Sequence, residues 1–231
     1  MHKRLLLALM SGGKRTPWYL AGGVNRLNCV FAYQFVGAAS LAASYTNLAN
    51  PGTYNAVEIA APAWAQATGA QGNNSGCMRT GYALPTNGPA THTMIAAVYI
   101  TNASSCGTII GRIESAPVDY RIHVYYGDGG IRHVYPRSYY ANAPAFGAVH
   151  IAATTGVATY FDGVKTADIS PTAMGTALEM CVMAANTSAL DKLQAGAFIR
   201  ACATYNTVLS AAQVAAISSA MLALSGSTPP F

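Results

Sequence analysis

The chain has 231 residues, of which 52% are hydrophobic, so it is long enough to bury the core of one sandwich domain with an extension. Charged residues make up only 9%, against roughly 25% in an ordinary soluble protein, which argues against a free monomer with a strongly charged surface. The composition favours a surface that neighbouring subunits cover, although a surface rich in uncharged polar residues would give the same figure.

Residues 1–36 are predicted to form a basic N-terminal arm. The net charge of +5 comes wholly from this region, because eight basic and eight acidic residues follow Arg26. Basic arms bind acidic partners, but no run of Lys and Arg occurs here, so a protein surface is favoured over nucleic acid. The candidate assembly contacts are the basic residues and the aromatic pair of the arm: Lys3, Arg4, Lys14, Arg15, Trp18, Tyr19 and Arg26.

The opening MHKRLLLALMSGG has the order of a secretory leader, in which a basic start precedes an apolar stretch. That stretch, Leu5 to Met10, spans six residues, whereas the apolar part of a signal peptide spans roughly 7–15. The sequence also lacks a run of about 18 apolar residues, which a membrane-spanning helix requires. We therefore expect an uncleaved chain that is made in the bacterial cytoplasm and does not insert into a membrane.

Residues 37–76 are predicted to form an extended linker or docking segment. The stretch GAASLAASYTNLANPGTYNA (37–56) is small and uncharged, and it contains an Asn-Pro-Gly turn signal. Such a stretch buries too little apolar surface to be ordered alone. We expect it to lie along a neighbouring subunit, and we expect a chain that lacks residues 1–57 to fold without joining the assembly.

Residues 77–231 are predicted to form an all-β domain, an antiparallel two-sheet jelly-roll sandwich. Short strands recur with turns roughly every 8–12 residues, as in sandwiches and jelly rolls. Asp162-Gly163 separates two short strands and predicts a two-residue hairpin loop, because both residue types tolerate positive φ.

One closing helix is predicted over about 210–224. Ser210 and Gln213 form an S-x-x-Q capping box at its start. The apolar stripe at helical spacing that follows contains Val214, Ile217, Met221 and Leu224.

Two stretches carry a resemblance to a known superfamily. ATYFDGVKTAD (158–168) and AGAFIRACATYNTVLSAAQVAAISSAML (195–222) resemble the hairpin, closing strand and final helix of the concanavalin A-like lectin/glucanase superfamily in its laminin G-like form. The first 76 residues, with WYLAGGV and APAW, resemble leaders of bacteriophage virion proteins that carry such a domain. The resemblance implies a two-sheet jelly roll with a curved face, joined to a virion by its N-terminal region.

The residues that would carry catalysis or bind a metal are sparse. The superfamily's glucanases use glutamates in an E-x-D-x-E pattern, and none of Glu58, Glu114 and Glu179 has that neighbourhood. The five cysteines form no C-x-x-C pair. His123 and His133 are predicted on neighbouring strands, where two polar residues on a solvated face are favoured over a metal site. We therefore expect no enzyme activity, no cofactor and no metal.

Tyrosines and arginines between 120 and 140 are candidates for a contact surface. They would form a face for a glycan or another subunit, with inter-subunit contact ranked first, core packing second and glycan binding third. The candidate residues are Tyr125, Tyr126, Arg132, Tyr135, Tyr139 and Tyr140, with Arg121 and Arg137 nearby.

The leading functional hypothesis is a virion structural protein, either a capsid decoration or a tail component. Its partners would be other virion proteins and further copies of this chain. The alternative is a lectin-like receptor-binding module of a tail fibre, which binds a cell-surface glycan. A glycosidase with a diverged site is the third hypothesis.

Overall fold

The computed structural model describes residues 16–102, 107–115, 118–125, 130–135, 138–142, 144–171, 173–185 and 191–224. These residues form two antiparallel sheets packed as a sandwich, with one helix near the C-terminus, which confirms the predicted fold class.

The strands of the described residues belong to two sheets. The first sheet contains β1 (Cys29–Gln34), β3 (Ala63–Ala65), β4 (Gly69–Gln71), β6 (Thr93–Ile100), β11 (Val149–Thr154), β12 (Ala158–Phe161), β13 (Val164–Asp168) and β15 (Ala197–Tyr205). The second sheet contains β2 (Val57–Ala60), β5 (Cys77–Leu84), β7 (Gly107–Ser115), β8 (Val118–Val124), β9 (Ile131–Tyr135), β10 (Ser138–Asn142) and β14 (Leu178–Val182).

The order of strands differs from their order along the chain. The first sheet runs β13-β12-β11-β6-β15-β4-β3. β4 pairs with Phe198 and Ile199 of β15, and β1 pairs with the residues of β15 that follow, from Ala201 to Tyr205. The second sheet runs β10-β9-β8-β7-β14-β5-β2. The helices are α1 (Leu41–Ser44), α2 (Gly88–Thr91) and α3 (Ala211–Leu224), and two 3₁₀ segments cover Trp18–Gly23 and Arg26–Asn28.

Two apolar cores lie on opposite faces of the first sheet. Along β6, Met94, Ala96 and Val98 point into the core between the sheets, whereas Ile95 and Ala97 point toward α3. This alternation is the period of two that a strand imposes on its side chains. The first sheet is therefore covered on both faces, and the second sheet has one face turned away from the core.

The closing helix confirms the predicted capping box and stripe. The Gln213 backbone N–H donates to the Ser210 hydroxyl at 3.3 Å, and the Gln213 side-chain oxygen accepts from the Ser210 N–H at 3.0 Å. Val214, Ile217 and Met221 are buried against the first sheet, as the helical spacing predicts.

The predicted hairpin loop is present between β12 and β13. Asp162 and Gly163 have φ values of 51° and 81°, which fit the mirror-image turns that close tight hairpins. Asp162 also accepts a hydrogen bond from the Ile151 N–H at 2.8 Å and lies 2.8 Å from His150 Nδ1, so the turn is tied to β11.

The structure corrects the predicted boundary of the N-terminal arm. β1 lies inside that arm and pairs with β15. This pairing buries the apolar side chains of β1 in the two cores on either face of the first sheet. The ring nitrogen of Trp18 donates to Gln34 at 3.1 Å, and the Tyr19 hydroxyl donates to the Leu48 carbonyl at 2.8 Å. The Tyr205 hydroxyl donates to the Tyr19 carbonyl at 2.9 Å, so the aromatic pair is part of the sandwich.

The other predicted assembly residues divide into two groups. Arg26 donates from Nε to the Ala49 carbonyl at 2.7 Å, which is a contact within its own chain. Lys3, Arg4, Lys14 and Arg15 lie outside the described residues.

The predicted linker also belongs to the fold. Asn47 is fully buried, and its side chain accepts from the N–H groups of Ala32 and Ala49 and donates to the carbonyls of Val30 and Thr53. These bonds replace a sheet ladder for a loop that has few apolar residues. The segment is therefore hydrogen-bonded to β1. Since β2, β3 and β4 also belong to the two sheets, the boundary predicted at residue 76 is wrong.

Within the described ranges, no helix combines the length and the apolar character that crossing a membrane requires.

Candidate functional site

A group of polar and aromatic side chains occupies the outer face of the second sheet. The register pairs Thr108 with His123 and His123 with Arg132, so these residues share one side of β7, β8 and β9. Ile122 and Ile131 alternate with them and point into the core. We call this group the polar face, and it consists of Thr108, Arg121, His123, Tyr125, Arg132 and Asp191.

Asp191 is the residue that the loop before β15 contributes to the polar face. Its backbone has φ of 54°, and its carbonyl accepts from the Thr108 N–H at 2.9 Å. Its carboxylate accepts from the Thr108 hydroxyl at 3.1 Å and forms an ion pair with Arg121. The Nδ1 atom of His123 lies 3.1 Å from the same carboxylate oxygen. The loop is therefore held on the sheet by a charged, partly buried cluster.

Gly111 makes room for the arginine of this cluster. It lies opposite Arg121 in the register, with φ of +145°, and a Cβ atom built there would stand 2.4 Å from the Cβ of Arg121. Any other residue would strain the backbone and displace Arg121. With glycine there, the guanidinium donates to the Thr108 hydroxyl at 3.0 Å while it pairs with Asp191.

Tyr125 and Arg132 form the aromatic end of the polar face. The Tyr125 side chain is 44% exposed, and the guanidinium carbon of Arg132 lies 3.2 Å from the centroid of its ring. This is a cation–π contact, which fixes the orientation of a long and otherwise mobile side chain. The His123 ring lies edge-on to Tyr125 at 6.3 Å between centroids, so the three groups form one continuous surface.

His123 is uncharged at neutral pH. Burial, together with the positive charges of Arg121 and Arg132, lowers its pKa to about 3. A neutral imidazole has one donor and one acceptor nitrogen, so His123 supplies hydrogen bonds to this surface without adding charge.

A depression of about 360 Å³ adjoins the polar face at its Asp191 end, and its walls are Asn74, Asp191, Lys192 and Gln194. Residues with amide, carboxylate and ammonium side chains therefore line a space large enough for a small polar group. A second cavity of about 560 Å³ lies between the end of α3 and the first 3₁₀ segment. None of its described lining residues is charged: Thr16, Pro17, Trp18, Tyr19, Gln34, Leu48, Ala220, Ala223 and Leu224.

The predicted contact residues have different outcomes. Tyr125 and Arg132 come together on the polar face. Tyr126 lies outside the described residues, Tyr135 ends β9, and Tyr139 and Tyr140 are in β10.

His123 and His133 do not share a face, which corrects the predicted polar pair. The register sets Ile122 opposite His133, so His133 points into the core, where it is fully buried. Among the described residues, no group of three or more His, Cys, Asp or Glu could hold a metal ion.

Sequence reasoning missed Thr108, Asp191 and Lys192. Asp191 pairs with Thr108, which is 83 positions away in the chain, and no local pattern marks such a contact. The positive φ of Asp191 is a feature of the folded loop that the sequence does not display.

No protein-family model and no curated protein sequence matches this chain. Among solved structures, Trypanosoma rangeli sialidase in complex with sialic acid is similar, with a TM-score of 0.60 and 10% identity over 83% of this chain and 33% of that chain. Domain 4 of a GH43 extracellular arabinanase from Geobacillus stearothermophilus, in complex with arabinotriose, gives 0.53 and 12% over 83% of this chain and 98% of that chain. The receptor-binding domain of botulinum neurotoxin C/D mosaic serotype gives 0.57 and 9% over 84% and 52%.

These similarities show a shared β-sandwich fold. Because the sequence identities are low, they show the fold alone. The chain spans about a third of the length of the sialidases.

The prediction that the chain is not an enzyme is wrong, because its basis does not exclude enzyme activity in general. It rested on the missing glutamates of one glucanase arrangement. The fold of this chain matches about a third of several sialidase chains, one of which is a mutant displaying trans-sialidase activity. The missing glutamates therefore exclude that arrangement and leave other carbohydrate chemistry open.

Proposed function

We propose that the protein is a carbohydrate-active β-sandwich module whose polar face binds a glycan. The observation that carries the proposal is the exposed Tyr125 ring with Arg132 fixed over it, beside the cluster of Arg121, His123 and Asp191. We further propose that the module belongs to the concanavalin A-like superfamily in its laminin G-like form.

The chemistry of the polar face suits a sugar. Arg132 covers one face of the Tyr125 ring, so a pyranose would place its C–H groups against the opposite face, while the hydroxyl stays available for hydrogen bonds. Arginine, histidine and carboxylate groups held in fixed positions then select among hydroxyl groups. Because the cluster is tied to the sheet by several bonds, these groups are already oriented before a ligand arrives.

The similar structures support the same proposal. One of the sialidases is in complex with sialic acid, and the arabinanase domain is in complex with arabinotriose. The similarity to the arabinanase domain covers 98% of that domain, so a sandwich of this size occurs with a bound oligosaccharide.

A glycan array with the purified protein tests the proposal. We expect selective binding, and we expect Tyr125→Ala to weaken it by about fivefold or more, since a lost aromatic contact removes about 1 kcal/mol or more. Phe146→Ala is the matched control, because Phe146 is 46% exposed and lies on the loop that leads into β11. Absence of binding by the unaltered protein, or equal binding by the Tyr125 variant, would contradict the proposal.

The glycans that bind should then be incubated with the protein and assayed for released sugar. Release would identify an enzyme, and binding without release would identify a recognition module. Both outcomes are carbohydrate activities of the same face.

A role in a bacteriophage virion, as a capsid decoration or tail component, is a second proposal. The 9% share of charged residues favours it, because such a surface suits contact with other virion proteins and further copies of this chain. Quantitative mass spectrometry of purified particles provides the test. A fixed copy number per particle is expected, and absence from particles would contradict it.

A further inference from the structure

We infer that His150 is a pH-dependent link, which as an imidazolium cation joins the loop before β11 to the turn between β12 and β13. The loop consists of residues 144–148, and Asp162 and Gly163 form the turn. The inference is independent of the proposed glycan binding, because His150 belongs to the first sheet and the polar face lies on the second.

Both ring nitrogens of His150 lie next to hydrogen-bond acceptors. The Nδ1 atom is 2.8 Å from the Asp162 carboxylate, and the Nε2 atom is 3.0 Å from the Ala145 carbonyl oxygen. A neutral imidazole has one N–H group, so it can donate to only one of these two oxygens, whereas an imidazolium donates to both. The positions of the two oxygens therefore favour the cation.

Two further features of the surroundings act on the same equilibrium. The Phe161 ring stacks on the imidazole with 4.9 Å between centroids and 23° between planes, and a cation over the face of an aromatic ring is attracted to it. The hydrogen bond to Asp162 raises the pKa of His150 above its ordinary value of 6.5, and this effect outweighs the opposing effect of burial.

His150 lies on the face of β11 that is turned to the second sheet. Ile151 points toward α3, and side chains alternate along a strand. On the same face β6 carries apolar side chains, and the loop of residues 144–148 contains no ionisable residue. Apart from Asp162, the described parts of these neighbouring elements therefore bring no charge to the imidazole.

Two described titratable side chains face β11 from the second sheet, and both are uncharged near neutral pH. They are Tyr120 of β8 and His133 of β9. Burial raises the pKa of Tyr120 and lowers the pKa of His133 to about 3. Among the described residues, the charge of His150 therefore depends on its contacts with Asp162 and Ala145.

The link weakens as the pH rises. Below the pKa of an unfolded histidine, about 6.5, its stabilising contribution is fully present, and it is lost as the pH rises through the higher pKa of the folded state. Deprotonation removes one of the two hydrogen bonds of the ring. The loop keeps the bond from the Gly147 N–H to the Ile100 carbonyl, and the turn keeps the bond from the Ile151 N–H to Asp162. The loop and the turn therefore separate more easily from each other while the sheet stays intact.

Nitrogen-15 NMR of the histidine rings in the full chain tests the charge of His150. We expect a titration midpoint above 6.5, with two protonated ring nitrogens below it. Asp162→Asn should move the midpoint to lower pH, because it removes the carboxylate while asparagine still tolerates the positive φ of this turn. Asp168→Asn is the matched control and should leave the midpoint unchanged, since Asp168 is an exposed carboxylate that pairs with Lys165.

Hydrogen exchange of the Gly147 amide measures the separation of the loop. After correction for the intrinsic rate, we expect this amide to exchange roughly fivefold faster above the midpoint than below it, since one hydrogen bond contributes about 1 kcal/mol. His150→Gln should remove this pH dependence. The Val98 amide is the internal control, because Val98 lies in the middle of β6.

Three results would overturn the inference. One is a midpoint for His150 at or below 6.5. Another is a midpoint that stays the same in Asp162→Asn, in a variant that keeps its melting temperature. The third is Gly147 exchange that has the same corrected rate on both sides of the midpoint.

Discussion

At the scale of single residues, His133 shows how strand register decides what a side chain does. A one-residue change of register would have placed it on the polar face beside His123. In the observed register it lies in the core, where it is fully buried, and neither ring nitrogen has a hydrogen-bond partner among the described residues. Burial lowers its pKa to about 3, so it is neutral in the folded protein. The spacing of the two histidines predicts neighbouring strands, but it does not predict a shared face.

We expect His133→Leu to stabilise the protein. An unsatisfied buried imidazole costs roughly 1–2 kcal/mol, and leucine of similar volume fills the same space without polar atoms. The gain should grow below pH 6.5, because the unfolded histidine binds a proton there while the folded one, with its pKa near 3, does not. Stability of the unaltered protein therefore falls as the pH drops from about 6.5 toward 3, and leucine removes this contribution.

Urea unfolding at neutral and at mildly acidic pH measures this change. At neutral pH, His92→Leu is the control with the opposite expected sign, since the His92 ring contacts the hydroxyls of Tyr82 at 2.7 Å and Thr91 at 2.9 Å. If His133→Leu were folded but less stable than the unaltered protein at neutral pH, the imidazole would have to be hydrogen-bonded.

At the scale of elements, α3 and β1 differ in how much the sequence reveals. The signals for α3 are local, because a capping box and a stripe at helical spacing lie within 15 residues of each other. β1 depends on pairing with β15, which lies far along the chain, and its sequence CVFAYQ stands between basic and small-residue stretches. The local composition therefore predicts an arm at this position. β1 is buried only through pairing with β15, and no local pattern identifies that partner strand.

We expect Ser210→Ala to destabilise the protein by about 1 kcal/mol, because it removes the hydroxyl that accepts from the Gln213 N–H. The measurement is the melting temperature of the full chain. Ser219→Ala is the matched control, since Ser219 is exposed inside α3, where alanine is at least as favourable as serine. Equal melting temperatures for the unaltered protein and the Ser210 variant would mean that the cap contributes nothing.

At the scale of the whole molecule, the sandwich is closed by segments that are distant in the chain. Residues 17–36 pack against α3 and β15, so the two ends of the described chain share one apolar core. The two-sheet class was predictable because strand and turn signals recur locally. Tyr125 and Arg132 were predictable for the same reason, since a single hairpin carries both. Asp191 was not, because its place on the polar face depends on the packing of a remote loop.

The shared core leads to a prediction that reverses the one made from sequence. Deletion of residues 1–36 should abolish folding, because it removes β1 with the buried rings of Phe31 and Tyr33 and the contacts of Trp18 and Tyr19 with the rest of the sandwich. Each large aromatic side chain lost from a core costs roughly 3–5 kcal/mol, and a typical domain is stable by only about 5–15 kcal/mol.

Deletion of residues 1–15 is the matched control, since it leaves every contact described for the sandwich in place. Circular dichroism and thermal melting of both truncated proteins provide the measurement. We expect the shorter deletion to melt cooperatively near the temperature of the full chain, and the longer one to show no cooperative transition. A cooperative melt of the protein lacking residues 1–36 would mean that β15 can be covered without β1, and the arm predicted from the sequence would then stand.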